Sequence, residues 1–171
     1  MSQQKAAAQR IASHTTHQFH PDNTLPSADW IFVFGSNLAG RHGKGAAKVA
    51  RTNFRAAYGE GRGPTGHAYA IPTKGKHLEV LDLQSIERSI EDFLLYARLH
   101  PELNFFVTRV GRGLAGYTDD QIGPMFDQAP GNCSLPNEWK QYVVQARALR
   151  EAGAQAKQEE AKRCAEARER G

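Results

Sequence analysis

The sequence has few cysteines and no long apolar run. Of its 171 residues only Cys133 and Cys164 are cysteines, which excludes a disulfide framework and a four-cysteine zinc site. No apolar stretch approaches the roughly 18 residues that a membrane-spanning helix needs. The N-terminal MSQQKAAAQR also lacks the apolar stretch of a secretory signal. We therefore expect a reduced, cytoplasmic protein with no membrane partner.

The composition is that of a folded chain of one domain. Hydrophobic residues make up 40% of the sequence and charged residues 23%, which argues against disorder throughout. At roughly 100–200 residues per domain, the length predicts one domain with tails. We expect a polar leader over residues 1–28, an α/β domain over 29–136, and a C-terminal helix with a charged tail over 137–171.

Three histidines of the expected leader recur at every third position. His14, His17 and His20 are residues that bind zinc, but a tail offers neither a fixed geometry nor supporting hydrogen bonds. We therefore predict no metal site, and nothing else in the sequence calls for a cofactor.

Positive charge and glycine are concentrated in one window. Residues 35–66 contain six Lys or Arg against the single acid Glu60, and they hold eight of the 16 glycines. Glycine-rich backbone with local positive charge suits an anion, most often a phosphate. Four of these cations form a basic stripe at helical spacing: Lys44, Lys48, Arg51 and Arg55. Such a stripe also suits a nucleic acid, although on the stripe alone a solvated helix face is the simpler interpretation.

Strand and helix patterns alternate along the chain. Hydrophobic patterning predicts strands over residues 30–34, 67–73 and 103–110, and helices over 46–58 and 84–100. A capping-box pattern starts a short helix at residues 118–121, and Asn137 is placed to cap a final helix from 138 to about 170, solvated beyond Gly153. Residues 59–66 are too glycine-rich for regular structure, and 131–136 are expected to be irregular.

This alternation predicts an α/β fold with a mostly parallel sheet. Ligands of such sheets bind where the strands end. The glycine-rich loops at 35–45 and 111–117 both run from strand to helix, so they should face the same edge of the sheet. Neither the phosphate-binding G-x-x-x-x-G-K-[ST] spacing nor the dinucleotide G-x-G-x-x-G spacing occurs in the first loop.

Three polar side chains near this edge have two interpretations each. Asn37 follows a buried strand and can bind a sugar hydroxyl, or it can close its own turn. Lys74 ends another strand and can pair with phosphate or act as a nucleophile, or it is an exposed strand-end lysine. Tyr117 can stack on a sugar or base, or it can close its loop over the core.

Three segments carry a resemblance to a known family. The sequence W-I-F-V-F-G-S-N-L-A-G-R-H-G-K-G-A-A at 30–47, A-I-P-T-K at 70–74 and residues 107–126 resemble a group of uncharacterised phage and bacterial proteins. That group is similar to a divergent macrodomain, an ADP-ribose-binding fold. The loop G-R-G-L-A-G-Y at 111–117 matches the second macrodomain motif closely. The resemblance implies a three-layer sandwich, with a mixed, mostly parallel sheet flanked by helices.

The resemblance also implies roles for individual residues. The strand end I-P-T-K is similar to that of the terminal ADP-ribose glycohydrolase branch, in which a lysine attacks the ribose anomeric carbon. Lys74 occupies that position, and Asn37 would contact the distal ribose. The two glycine-rich loops would wrap the diphosphate. Contacts to the ligand are implied for Gly35, Ser36, Gly40, Arg41, His42, Gly43, Gly45, Thr73, Gly111, Arg112, Gly113, Leu114, Ala115, Gly116 and Tyr117.

The sequence departs from the family pattern at two places. Ala115 stands where the glycohydrolase branch has an assisting aspartate, and Asp119 and Asp120 belong to the next helix start. We also expect no strand in residues 1–28 to carry the aspartate that holds adenine in macrodomains. Asp22 and Asp29 are poor substitutes for it.

Three functions follow as expectations. The first is binding of an ADP-ribose-type nucleotide, with hydrolysis of ADP-ribose from a protein or nucleic-acid acceptor through Lys74. The second is a non-catalytic binder that sequesters a signalling nucleotide, which Ala115 favours. The third is a nucleic-acid-binding module that uses the basic stripe. The oligomeric state stays open.

Overall fold

The computed structural model describes residues 19–169. This part of the chain contains six strands and four α-helices. The elements, in chain order, are β1 (Phe19–His20), β2 (Ile31–Asn37), α1 (Gly45–Asn53), β3 (Gly63–Thr65), β4 (Ala68–Lys74), α2 (Leu83–Leu99), β5 (Phe105–Val107), α3 (Asp119–Ile122), β6 (Cys133–Pro136) and α4 (Lys140–Glu169). Single 3₁₀ turns follow α3 at Gly123–Phe126 and precede α4 at Asn137–Trp139. None of the helices in this part is both long and apolar enough to cross a bilayer.

The strands form one sheet in the order β1-β6-β5-β2-β4-β3. Every neighbouring pair is parallel except β3 and β4, which are antiparallel. The expectation of an α/β fold with a mostly parallel sheet is therefore confirmed. Strands β2 and β5 lie in the middle, so the loops that follow them emerge side by side.

Side chains alternate between two cores, one on each face of the sheet. On β2, Val33 belongs to the larger core and Phe32 and Phe34 to the smaller one. This is the period of two that a strand imposes. Helix α2 and the C-terminal elements cover the larger core, whereas α1 covers the smaller one. The sheet thus has helices on both faces.

The boundaries of α1 and α2 follow from contacts at their ends. Asp82 caps α2 by accepting a hydrogen bond from the Ser85 amide at 2.7 Å, and α2 ends within one residue of its predicted end at His100. Helix α1 stops at Asn53, well short of the predicted end at Tyr58. The reason is Arg55, whose φ of 59° turns the chain away, so that the Phe54 carbonyl accepts from the His67 amide at 2.8 Å.

Helix α4 docks at its start and is exposed beyond residue 147. Trp139 and Val143 are fully buried, whereas every residue of 148–169 is exposed. The first exposed turn of α4 is also tied to the domain, because Arg150 forms an ion pair with the buried Asp127 at 2.6 Å. Asn137 is the first residue inside the 3₁₀ turn that precedes α4, and the N-cap position belongs to Pro136, so the prediction that Asn137 caps this helix is wrong.

Three short strands contradict the sequence-based predictions. Residues 131–136 were expected to be irregular but contain β6, and residues 59–66 contain β3. Strand β1 lies inside the expected leader and pairs in parallel with β6. The folded domain therefore includes residues 19–28. The predicted strand over 103–110 is correct in place but shortens to the three residues of β5.

Candidate functional site

The ends of three neighbouring strands meet at one edge of the sheet, here called the carboxyl edge. Asn37 at the end of β2 lies in register with Lys74 at the end of β4. A Cβ built on Gly35 would lie 3.6 Å from the Gly111 amide and 3.7 Å from the Thr73 methyl group. The loop 38–44 after β2 and the loop 108–118 after β5 therefore emerge together, as the alternation of elements predicts.

Asn37 uses its side chain to close its own loop. Its Nδ2 donates to the Arg41 carbonyl and its Oδ1 accepts from the Arg41 amide, both at 3.0 Å. Of the two interpretations that the sequence left open, the structure shows the turn-closing one. One Nδ2 hydrogen and one Oδ1 lone pair remain for another partner.

Ser36 and Thr73, both predicted to contact a ligand, are buried beneath the edge. The Ser36 hydroxyl donates to the Gly61 carbonyl, and the Thr73 hydroxyl donates to the Ser36 carbonyl at 3.3 Å. Both side chains are at most 6% exposed. Their hydroxyl groups hold the strand ends and the adjacent loop in place rather than facing outward.

Some glycines of the edge are required by the protein's own packing. Gly40 has φ +64°, and a Cβ there would lie 2.2 Å from the Gly59 carbonyl carbon. A Cβ on Gly61 would lie 1.9 Å from the Asn37 carbonyl oxygen. The loop 38–44 and the segment 59–62 therefore pack backbone against backbone, which only glycine permits.

Gly43 and Gly113 have no such internal reason. Neither has a positive φ, and a Cβ on either would meet nothing within 4 Å. Gly45 and Gly116 also face open space, although their φ values of +54° and +76° favour glycine. Each of the two loops thus presents bare backbone to the outside. Bare backbone of this kind permits close approach of a ligand.

His42 is fully buried in the first loop without a hydrogen-bond partner for either ring nitrogen. Its ring packs edge-on against Phe34, with 5.1 Å between centroids. Burial lowers the pKa of His42, and the positive charge of Arg51 lowers it further. The Glu60 backbone approaches the ring but forms no hydrogen bond of normal geometry. His42 is therefore a neutral imidazole held in place by shape alone.

Lys74 carries an unpaired ammonium group at the carboxyl edge. Its side chain is half-buried and makes no hydrogen bond or ion pair with the residues that the structure describes. Its backbone is fixed because its carbonyl accepts from the Leu38 amide at 2.9 Å and the residue bridges to Val80. In the loop after β2, Arg41 and Lys44 are exposed and equally unpaired within the described range.

The loop 108–118 is folded tightly on itself. The Tyr117 amide donates to the Gly111 carbonyl at 3.0 Å, and the Gly116 amide donates to the Gly113 carbonyl at 3.1 Å. The Tyr117 hydroxyl donates to the Leu81 carbonyl at 2.5 Å, so Tyr117 closes its loop over the loop after β4. Leu114 at the tip is 72% exposed.

Asp119 does not replace the aspartate missing at Ala115. Its carboxylate accepts hydrogen bonds from Arg109 and from Trp139 Nε1, the latter at 2.9 Å. Burial alone would raise the pKa of Asp119, but these two donors outweigh burial and lower it. The carboxylate is therefore ionised and occupied by structural partners.

Sequence reasoning missed the ion-pair network around Arg109. This guanidinium binds Asp119 and also Asp22, at 2.8 Å, so it fastens the segment after β1 to the start of α3. Asp22 follows a strand after all, which corrects the expectation that residues 1–28 contain none. The only sequence signal for this network is that Arg109 precedes the buried Val110. That position does not reveal Asp22, 87 positions away, as its partner.

His20, which the sequence analysis places in the leader, has a structural role. His20 stacks on Phe106 with 3.7 Å between centroids and hydrogen-bonds the Ser134 hydroxyl at 2.7 Å. Burial lowers the pKa of His20 to about 4. His14 and His17 lie outside the described residues, and so do residues 2–12, for which the sequence indicates a short helix. Within 19–169 no group of three or more His, Cys, Asp or Glu is arranged to hold a metal ion.

A groove of about 560 Å³ lies elsewhere, between α2, α3 and α4. Five acidic residues line it, and none of the predicted site residues does: the acids are Glu87, Glu91, Asp92, Asp120 and Asp127.

Comparison of the chain with protein-family models, curated proteins and solved structures finds no match.

Proposed function

We propose that the carboxyl edge binds the diphosphate of an ADP-ribose-type nucleotide. The observation that carries this proposal is the pair Gly43 and Gly113. They lie on two loops that emerge from neighbouring strands, and nothing inside the protein requires glycine at either position. A phosphate group approaches backbone amides closely, and a Cβ at such a position would obstruct it.

The charges around the edge support an anionic ligand. Arg41, Lys44 and Lys74 are cations without an acidic partner among the described residues. The N-terminus of α1, which begins at Gly45, adds unpaired backbone amides and the positive end of the helix dipole. A diphosphate would pair with cations and amides that have no partner among the described residues.

The resemblance to divergent macrodomains supplies the rest of the proposed ligand. In that arrangement Asn37 contacts the distal ribose through its remaining donor and acceptor. Lys74 lies in register with Asn37 on the next strand, so a ribose bound at Asn37 is within reach of the lysine. The chain has the α/β layering that such a domain needs.

Removal of ADP-ribose from an acceptor is the catalytic extension of this proposal. A neutral Lys74 amine forms a bond to the anomeric carbon, and the acceptor leaves with the electron pair and takes up a proton. Water then attacks the same carbon, which releases ADP-ribose and restores the amine. The neutral amine requires a base, and the aspartate that serves in the glycohydrolase branch is Ala115 here.

A non-catalytic nucleotide binder is the second candidate function. Ala115 favours it, and so does Asp119, because its carboxylate is occupied by Arg109 and Trp139. The two candidates share the binding site and differ only in turnover. Both therefore depend on the same first experiment.

That experiment is calorimetric titration with ADP-ribose, with NAD and AMP as comparators. We expect micromolar binding of ADP-ribose that is lost in Gly113→Val. Gly153→Ala is the matched control, because Gly153 lies on the exposed part of α4 and also has open space around it. If the wild-type protein does not bind ADP-ribose, or if Gly113→Val binds as well as Gly153→Ala, the proposed site is wrong.

Turnover of an ADP-ribosylated substrate distinguishes the two candidates. For the hydrolase, Lys74→Ala abolishes turnover and leaves binding largely intact, whereas Lys76→Ala, an exposed neighbour, changes neither. Absence of turnover in the wild-type protein, with binding retained, would select the non-catalytic binder. Turnover that survives in Lys74→Ala would remove Lys74 from the mechanism.

A further inference from the structure

Helix α1 and the residues that flank it carry cations that the protein itself does not neutralise. Lys48 and Arg51 lie within the helix, Lys44 is its N-cap residue, and Arg55 lies just beyond its end. The basic stripe consists of four exposed residues with no ion-pair partner in the described part of the chain: Lys44, Lys48, Arg51 and Arg55. Helix α1 contains no acidic residue. By contrast, Arg62, Arg109 and Arg150 each pair with an aspartate. The stripe therefore remains positively charged.

An exposed aromatic ring adjoins the stripe. Tyr58 is 63% exposed, and it is the only exposed aromatic side chain within residues 19–169. The Arg51 guanidinium lies 5.6 Å from the centroid of its ring, which fixes Tyr58 beside the cations. A solvated helix face explains the charges but gives no reason for an aromatic ring in water.

Cations in a row beside an exposed aromatic ring match the chemistry of a single nucleic-acid strand. Such strands are bound by cations that follow the phosphates and by aromatic rings on which bases stack. At about 1.5 Å per helical residue, Lys44 and Arg51 are roughly 10 Å apart along α1. A single strand that runs along this length places its phosphates beside these cations and their neighbours.

We propose that the basic stripe and Tyr58 together bind single-stranded nucleic acid. The phosphates pair with Lys48, Arg51 and their neighbours, and a base stacks on Tyr58. The proposal shares Lys44 with the nucleotide site at the carboxyl edge but is tested at residues outside that site, and it needs no sequence-specific contact. An acidic protein would satisfy the cations but would make no use of the ring.

The test is fluorescence anisotropy of a labelled single strand of about 12 nucleotides, titrated with the full chain at salt concentrations between about 50 and 200 mM. Three or four phosphate contacts predict a slope of about −2 to −3 for log K against log salt, since each contributes about −0.7. The double variant Lys48→Gln/Arg51→Gln should flatten the slope by about 1.4. Its matched control, Lys157→Gln/Lys162→Gln, removes two charges from the exposed part of α4 and should change nothing.

Tyr58 tests the nucleic-acid part of the proposal separately. Tyr58→Ala should weaken binding about 5- to 100-fold while leaving the salt slope unchanged, and Tyr58→Phe should retain the affinity. Because all the substituted side chains are exposed, circular dichroism should show an unaltered fold. The proposal is overturned if the strand does not bind at low salt, if the α4 control weakens binding equally, or if Tyr58→Ala has no effect. Equal affinity for polyglutamate would identify a general polyanion surface instead and would overturn it as well.

Discussion

Replacement of His42 by phenylalanine should stabilise the protein. Both ring nitrogens are buried without partners, and an unsatisfied buried polar group costs about 1–3 kcal/mol. Phenylalanine keeps the edge-on contact with Phe34 and has no polar atom to leave unpaired. Its slightly larger ring costs about 1 kcal/mol of overpacking. At pH 7 we expect a net gain of about 1 kcal/mol, which is roughly 2–4 °C in Tm for a chain of this size.

The gain should grow as the pH falls. The imidazole of an unfolded chain has a pKa near 6.5, and burial holds the pKa of folded His42 below that value. Below about pH 6.5 the imidazole of the unfolded state therefore binds a proton that the folded state does not bind. The free energy of unfolding of the wild-type protein then falls by up to about 1.4 kcal/mol per pH unit. Phenylalanine has no such proton. His20, with its pKa lowered to about 4, is present in both proteins and cancels in the difference.

Urea unfolding of both proteins at pH 7.5, 6.5 and 5.5 measures this difference. A variant less stable than the wild type, with a gap that does not change with pH, would show that the ring nitrogens are satisfied and the reasoning is wrong. His42→Ala is the control for packing, because it leaves a cavity and should lose about 2–4 kcal/mol. Titration of His42→Phe with ADP-ribose adds a functional test. Lost affinity in a stabilised variant would make His42 a ligand contact, and unchanged affinity would make it a packing residue.

Three further predictions concern stability and reactivity. Asp119→Asn should cost about 2 kcal/mol at pH 7, because it weakens charged hydrogen bonds to two partners. Since the folded pKa of Asp119 is lowered, that difference should shrink as the pH falls below about 4, and urea unfolding at pH 7 and 3.5 tests both statements. Asn132→Ala should lower the free energy of unfolding by about 2 kcal/mol, because its Nδ2 lies 3.0–3.1 Å from the carbonyl oxygens of Ala97, His100 and Leu103. Asn137→Ala should change it by no more than about 0.5 kcal/mol. Similar losses for the two variants in the same unfolding assay would contradict this prediction. A thiol reagent at pH 8 should label the exposed Cys164 alone, since Cys133 is buried and its pKa is raised to about 12; two labels per native chain, counted by mass spectrometry, would refute it.

The long elements of this fold can be predicted from sequence because each repeats its pattern several times. Helix α2 places five apolar residues on one face, and β2 and β4 are strands of seven residues that each begin with four apolar residues. Strands β1, β3 and β6 contain only two to four residues, among them Gly63, Pro64 and Pro136. Their pairing is imposed by neighbouring strands rather than by their own composition, so the sequence carries almost no local signal for them.

The site is predictable at the level of loops and much less so at the level of side chains. Glycine spacing and strand ends correctly bring the loops 38–44 and 108–118 to one edge. Whether the Asn37 side chain turns inward depends on its two hydrogen bonds with the backbone of Arg41, four residues along the chain. The burial of His42 depends on how two glycine-rich segments pack against each other. The burial of His42 is tertiary and leaves no trace in spacing, whereas the Asn37 contact is local and is one of the two interpretations that the sequence leaves open.

The position of β1 at the end of the sheet has a consequence for synthesis of the chain. Among the described residues its only partner is β6, and the linked side chains of His20 and Ser134 are 114 positions apart. The first strand of the described chain to leave the ribosome therefore cannot pair until the last one has been made. Contacts this distant along a chain form late and slow folding. A product that stops before Cys133 loses two strands of the sheet rather than one, because the segment holding Phe19 and His20 then has nothing to pair with.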